Sequence, residues 1–342
     1  MQTIIIVGNG IAAKSVIFYL TDSSLICPDK VRIIQIADES LAPACSLRST
    51  STLAIRGVRA GVSELGDQLI EAFGLWNEFY LDFKPEGMHP IKHISLGDNE
   101  GHFARRFAHL EKDSIMLNKQ WTGVIESGYV LTPDILLNSI DQINQKRLKS
   151  YDYQFKKGFV SSIDRSEKKI VYANKEECSY DQLVLATGAY SCLFFPELEE
   201  YGKTKIREGT YWSFRGNIKD QFFKKYGPYC LNLLGMNLLY RPDVNEYVFG
   251  ATTDDEQGLM APNIEETQAL FAKMSEHVRS FIDLPDFDSG NLSVGLRHQG
   301  PKRKPRTSHI PGDVFILDGA YKNGYMLSLV LAKDVVTSLR AQ

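Results

Sequence analysis

Cysteine is scarce in this chain, and its spacing suits neither disulfides nor metal. The five cysteines among 342 residues (Cys27, Cys45, Cys178, Cys192 and Cys230) form no CxxC pair and no metal-ligand pattern. That argues against a disulfide framework, predicts no metal site and fits a reducing compartment. Long apolar runs are missing too. The first, Ile4-Ile5-Ile6-Val7, follows Met1-Gln2-Thr3 and stops at Gly8, without the charged start and length of a secretion signal. No stretch approaches the roughly 20 apolar residues of a membrane span. Nor is there a basic excess: 39 Lys and Arg against 42 Asp and Glu leave a net charge of −3. Binding to a nucleic-acid backbone needs such an excess. The expectation is a soluble, cytoplasmic protein with no membrane or nucleic-acid partner.

What is present is ordinary globular chemistry, 43% hydrophobic and 24% charged, in a chain long enough for two domains. The β-branched run Ile4–Val7 reads as a strand buried on both faces. Gly8-Asn9-Gly10 breaks it, and Ala12, Ala13, Val16, Ile17 and Leu20 then recur at helical spacing up to a second strand, residues 31–36. Strand, glycine turn, helix and strand make a βαβ unit and imply a parallel sheet. In Gly8-Asn9-Gly10-Ile11-Ala12-Ala13, Gly8 permits the tight turn and Gly10 lets backbone approach a pyrophosphate. The small Ala13 stands at the third glycine position, for close helix–strand packing. The helix start at Ile11 and Ala12 then offers N–H groups to phosphate. At the end of the second strand, where an acid usually meets ribose, stands Gln35, with Asp38 and Glu39 just beyond.

Further along, residues 65–81 read as a helix, and Thr132-Pro133-Asp134 as a helix start. Residues 159–163 and 170–173 read as short antiparallel strands, and 183–186 as another buried strand. From about 207 to 289 the texture becomes aromatic and alternating, as in Tyr211–Phe214 and Tyr247–Phe249, the mark of antiparallel strands with one face covered. A helix capped by Asn263, with Glu266 three residues on, interrupts them. A strand at 314–317 and a closing helix at about 326–339 return to the first pattern.

Several segments now fall into one order: Ala44-Cys45-Ser46-Leu47-Arg48-Ser49-Thr50-Ser51-Thr52-Leu53-Ala54; Gly128-Tyr129-Val130-Leu131-Thr132-Pro133 with Leu136; Tyr180–Ser191 around Thr187-Gly188; Pro242 followed by Phe249-Gly250-Ala251-Thr252; Gly295-Leu296-Arg297; and Gly319-Ala320-Tyr321-Lys322-Asn323-Gly324. With the glycine turn they resemble the D-amino acid oxidase/glycine oxidase (DAO-type) family of FAD-dependent oxidoreductases across nearly the whole chain. The resemblance implies an α/β fold: a Rossmann-type FAD-binding domain (1–85, 126–205 and 291–342) with an inserted antiparallel-sheet α+β substrate domain (86–125 and 206–290).

It implies FAD held by Gly8, Gly10, Ile11, Ala12, Gln35, Ala44, Cys45, Ser46, Arg48, Ser49, Val160, Thr187, Gly188, Gly319, Asn323, Gly324, Tyr325 and Met326. It also implies Arg297 as a fork to the substrate carboxylate, a role that suits a planar guanidinium. Arg48 would line the reactive region and Tyr240 the substrate. The expected reaction is oxidation of a small amine or amino acid by hydride transfer to the flavin, with O2 as acceptor. Departures from the family bear on specificity. Leu239 stands where a substrate-seating tyrosine is common, His298 stands where proline usually follows the arginine, and the basic run Lys302-Arg303-Lys304 replaces an acidic turn. A cationic rim suits an anionic or larger substrate, so two alternatives stand beside the leading one: a flavoenzyme acting on a peptide- or RNA-borne amine, and a non-catalytic dinucleotide-binding protein.

Overall fold

The computed structural model describes residues 1–22, 27–38, 40, 44–98, 100–117, 119–195, 204–253, 261–301 and 304–340. The opening βαβ unit is there as Gln2–Val7, Ile11–Leu20 and Val31–Ala37. Ile4, Ile5 and Ile6 are almost wholly buried, which is why this strand reads as an unbroken apolar run rather than an alternation. Among the described residues six strands form one sheet, ordered Arg306–Ile310, Val314–Asp318, Gln182–Leu185, Gln2–Val7, Val31–Ala37 and Asp152–Lys157. Every neighbouring pair is parallel except the first. The Ile11–Leu20 and Gly324–Arg340 helices pack on each other. An antiparallel trio, Val160–Asp164, Lys169–Tyr172 and Glu177–Ser179, contributes Val160, Ile170 and Tyr172 to the core formed with Ile5, Val7, Leu183 and Ile316.

The chain divides into two compact units: Met1–Leu47 with Leu137–Arg207 and Leu296–Gln342, and Arg48–Leu136 with Glu208–Gly295. Residues 48–85 and 126–136, expected in the cofactor domain, thus belong to the second unit. Pairing explains it, because Thr52–Ala54 runs antiparallel to Gly128–Val130, and the Gln120–Leu131 strand continues along Met88–Gly97.

The second unit is built on a sheet of nine strands among the described residues, ordered Asn291–Gln299, Lys205–Arg215, Glu246–Gly250, Met236–Arg241, Tyr229–Leu233, Met88–Gly97, Gln120–Leu131 and Thr52–Ala54, with Asp113–Met116 paired to Gln120–Leu131. One pair departs from the expected antiparallel pattern. Tyr229–Leu233 lies parallel to Met88–Gly97, because these strands are far apart in sequence and no hairpin joins them. The Ile264–Val278 helix covers one face. Its cap forms as the spacing predicts, with Asn263 Oδ1 accepting from the Glu266 N–H at 3.2 Å and Asn263 Nδ2 donating to Glu266 Oε2 at 2.9 Å. Its Phe271, Met274 and Val278 pack with Trp212, Leu238 and Phe249. On the other face lie Ile91, Val130, Tyr211, Cys230, Leu239 and Val248. Among the described residues no helix is long and apolar enough to cross a membrane, and no cluster of His, Cys, Asp or Glu is fit to hold a metal ion.

Candidate functional site

The glycine turn is forced by its surroundings. Gly8 has φ +132°, and a Cβ there would stand 2.5 Å from the Ala186 carbonyl oxygen and 3.6 Å from Ala13 Cβ. Only glycine fits this turn, which passes just beyond the end of the Gln182–Leu185 strand. Gly10 caps the helix, and a Cβ on it would come within 3.0 Å of Ser46 Oγ and 3.7 Å of Ala44 Cβ. The first helical N–H, that of Ile11, donates to Ser46 Oγ at 3.0 Å. The Tyr325 hydroxyl donates to the Ser46 carbonyl at 2.9 Å, and Met326 beside it is buried. Four separate stretches of sequence therefore converge: the turn at Gly8–Ala12, the Ala44–Ser46 segment, the strand end at Ala186–Gly188 and the helix start at Gly324–Met326. Bare backbone and helix N-terminal N–H groups are what a pyrophosphate-linked dinucleotide requires, so the residues present fit that group.

The remaining expected cofactor residues distribute as follows. Thr187 Oγ1 and Ser191 Oγ lie 2.9 Å apart beside Gly188. Gly319, with φ +73°, passes so close to Gly300 (Cβ to Cα 3.2 Å) that a side chain would collide, and the Asn323 N–H donates to Ala320. Val160 is buried two residues past Gly158, whose N–H donates to the Ala37 carbonyl at 3.1 Å. Cys45 is half-buried in the short Cys45–Leu47 turn. Asp38 Oδ1 accepts from the Ser40 N–H and hydroxyl. Glu39, the Cys192 side chain, Lys302 and Arg303 lie outside the described residues.

Gln35 is placed differently from the expected ribose ligand. It is buried, its amide donates to the Gly8 carbonyl at 3.0 Å and to Asn9 Oδ1 at 3.1 Å, and its Oε1 accepts from the Tyr153 hydroxyl at 2.8 Å. Asn9 Oδ1 also accepts from Lys14 Nζ at 3.0 Å. That buried ammonium is paired with Asp141, as a buried charge must be. Burial first, then Asp141, pushes the Tyr153 phenol up to about 12, keeping it a hydrogen-bond donor. This network lies under the turn.

Arg297 lies half-buried near the end of the Asn291–Gln299 strand. Its neighbour His298 is buried beside Asp318, Nδ1 to Oδ2 3.4 Å. Asp318 also takes a fork from Arg306, at 2.6 Å from Nε and 3.0 Å from Nη2. Burial alone would raise the Asp318 carboxyl, but hydrogen bonds from His298 and Arg306 outweigh it and hold the group below the ordinary carboxylate value. Asp318 thus ties the Arg297 strand end to the Gly319 segment, helped by the bridge between Gln299 and Ala320.

In the second unit Arg48 is half-buried, and the Ser49 carbonyl accepts from Arg241 Nη2 at 2.6 Å. Arg241 is buried and also binds the Leu131 carbonyl and Glu246 Oε2, so it clamps the Ser49 segment to the sheet. Tyr240 packs against Phe223 and Tyr247 and donates to Asn245 Oδ1 at 3.0 Å, on the sheet face opposite Leu239. These contacts account for Tyr240 as packing. Reading the sequence missed Arg241, Asp318 and the buried His93. The first two had a faint signal, since a charged residue ending an otherwise apolar strand needs a partner.

The sequence matches the family model for FAD-dependent oxidoreductases of the DAO type over residues 3–338. No curated protein sequence matches the chain. Among solved structures it is similar to iminodiacetate oxidase from Chelativorans sp. (TM-score 0.76, 12% identity, 98% of this chain and 95% of that one). It is also similar to glycine oxidase from Bacillus cereus (0.77, 12%, 100% and 95%), and to L-proline dehydrogenase from P. horikoshii (0.76, 11%, 99% and 93%). At such identities the likeness speaks for the fold, and the family match over nearly the whole chain carries the rest: the protein belongs to the DAO family of FAD-dependent oxidoreductases.

Proposed function

We propose that this protein oxidises the C–N bond of a small amine or amino acid and passes the electrons on to O2. The supporting observation is the cradle in which the Gly8–Ala12 turn, Ser46, Gly188 and Tyr325 converge, with Arg297 on a strand end that Asp318 ties to the Gly319 segment. When bound, FAD supplies the hydride acceptor. The chain's own residues do the positioning. The Gly10 backbone and the Ala12 N–H would hold the pyrophosphate, beside the Ile11 N–H that donates to Ser46 Oγ. The N-terminal N–H groups of the Gly324–Arg340 helix would stabilise negative charge on the bound cofactor. Arg297 would take the substrate carboxylate as a fork. The iminodiacetate, glycine and L-proline enzymes of similar fold are named for nitrogen-bearing substrates, which supports the C–N reading, while the similarly folded L-α-glycerophosphate oxidase is named for an alcohol, so hydroxy acids belong in the test.

An anaerobic screen of amines, amino acids and 2-hydroxy acids tests this, read as loss of flavin absorbance. Bleaching by an amine, followed by return of colour and peroxide on admitting air, is the expected result. Bleaching by hydroxy acids alone would overturn the reading.

A further inference from the structure

One buried charge in the first unit stands behind the glycine turn. Lys14 is the fourth residue of the Ile11–Leu20 helix, and its side chain is only 3% exposed. Its ammonium donates to Asn9 Oδ1 at 3.0 Å, the side chain that lies between Gly8 and Gly10. The same oxygen accepts from Gln35, which also holds the Gly8 carbonyl. Asp141, on the Pro133–Leu148 helix, is the ionic partner of Lys14.

An ammonium is electrostatically awkward at this place. The N-terminus of a helix carries partial positive charge, so acids are favoured there and cations are not. The first turn of the Ile11–Leu20 helix has no acid, and the buried cation follows directly. Asp141 offsets that charge unevenly. Its carboxylate is 45% exposed and screened by water, whereas the ammonium is almost wholly enclosed. The helix end and Lys14 together therefore leave an excess of positive charge beneath the turn, and a diphosphate seated on the turn supplies the matching anion.

The ion pair is not what holds the two helices together. Asn144, three residues on from Asp141, is buried and donates from Nδ2 to the Lys14 carbonyl at 3.0 Å. Arg147 Nη1 donates to the Phe18 carbonyl at 3.0 Å, and its guanidinium lies 4.2 Å over the Phe18 ring. These contacts fasten one helix to the other without Asp141.

We propose that Lys14 is an electrostatic positioning residue for FAD, its buried charge acting through Asn9 and the turn to favour the pyrophosphate, and that Asp141 tempers this attraction. The inference rests on the pyrophosphate placement in the proposed function and is independent of the substrate.

Lys14→Met and Asp141→Asn break the same ion pair from opposite sides. A pair that merely ties helix to helix would be lost either way, and both variants would hold FAD less well. The charge argument predicts opposite signs: Lys14→Met should bind FAD about tenfold more weakly, and Asp141→Asn, which leaves the ammonium unopposed, about threefold more tightly. Equilibrium dialysis of FAD against the apo forms of the full chain reads both. ADP and adenosine then separate the phosphates from the rest of the cofactor. Both variants should shift ADP affinity in the same sense as FAD and leave adenosine as in the wild type. Gly10→Val, which fills the space at the turn, should abolish ADP binding, and ADP binding retained there overturns the placement of the pyrophosphate. If melting shows that Lys14→Met does not fold, Asp141→Asn decides alone, because it alters a half-exposed side chain. FAD affinity unchanged or lower in Asp141→Asn, or equal shifts for ADP and adenosine, overturns the role of Lys14.

Discussion

Gln35 Nε2 donates to the Gly8 carbonyl oxygen at 3.0 Å, tying the residue expected to hold ribose to the backbone of the phosphate-binding turn itself. Through Asn9 and Tyr153 the same side chain is part of a buried set of hydrogen bonds that reaches Lys14 and Asp141. Any effect of Gln35 on FAD should therefore act through the shape of the turn.

Gln35→Ala would strip support from Gly8 and leave the Tyr153 hydroxyl without its acceptor. An unmatched buried group costs about 1–3 kcal/mol, part of which should appear as weaker FAD retention, on the order of tenfold in Kd. Equilibrium dialysis of FAD against wild type and variant checks this. Unchanged affinity with an unchanged melting temperature would show that the turn holds its shape unaided.

Gly10→Val places a branched side chain where even a Cβ would be 3.0 Å from Ser46 Oγ. It also fills the space through which backbone must reach the pyrophosphate. The expected product is a folded but colourless protein, shown by circular dichroism alongside the ratio of flavin to protein absorbance. A folded variant with full flavin content would refute the pyrophosphate assignment.

Asp318 should contribute to stability in acid. Its folded carboxyl lies below the ordinary value of 3.8, so the folded state binds the proton less readily than the unfolded chain. The resulting stabilisation is complete above that value and disappears as pH falls through the lower, folded one. Asp318→Asn removes it and leaves Arg306 facing a neutral amide, a loss of about 3–5 kcal/mol when a buried pair is broken from one side. Thermal melts between pH 7 and pH 3 should show a variant that starts lower and declines less steeply in acid. Wild-type melting at pH 7 would mean that Arg306 and His298 are held by other groups.

The βαβ unit was legible in the sequence because its signals are local: an apolar run, a glycine pair, then helical periodicity. The Asn263–Glu266 cap is equally local and formed as read. The assignment of residues 48–85 was not legible, because it depends on Thr52–Ala54 pairing with Gly128–Val130, a long-range choice that no short window records. The same holds for Gln35. Its type and position suggested a ribose ligand, and only the approach of Tyr153 and Asn9 turned it toward Gly8. His93 was invisible for a different reason: in the run Met88–Gly97 it occupies an ordinary alternating position, and its isolation appears only when strands 120–131 and 229–233 are laid beside it.

Arg297 carries the sharpest expectation for catalysis. The strand that bears it ends in His298 and Gln299, and the buried His298–Asp318–Arg306 group and the Gln299–Ala320 bridge fix that end in place. A guanidinium can match a carboxylate with two parallel N–H groups, and a fixed strand end limits the freedom lost on binding. Arg297→Ala should weaken substrate half-saturation by an amount equivalent to about 2–5 kcal/mol. Arg297→Lys keeps the charge but loses the fork, so it should fall between the two. FAD content should stay the same in both, because the Gly8–Ala12 turn and Ser46, proposed to hold the cofactor, are untouched by either change. Titrating anaerobic flavin reduction in the three proteins separates these effects. Half-saturation unchanged in Arg297→Ala, or a best substrate with no carboxylate, would remove the anchor role and turn attention to Arg48.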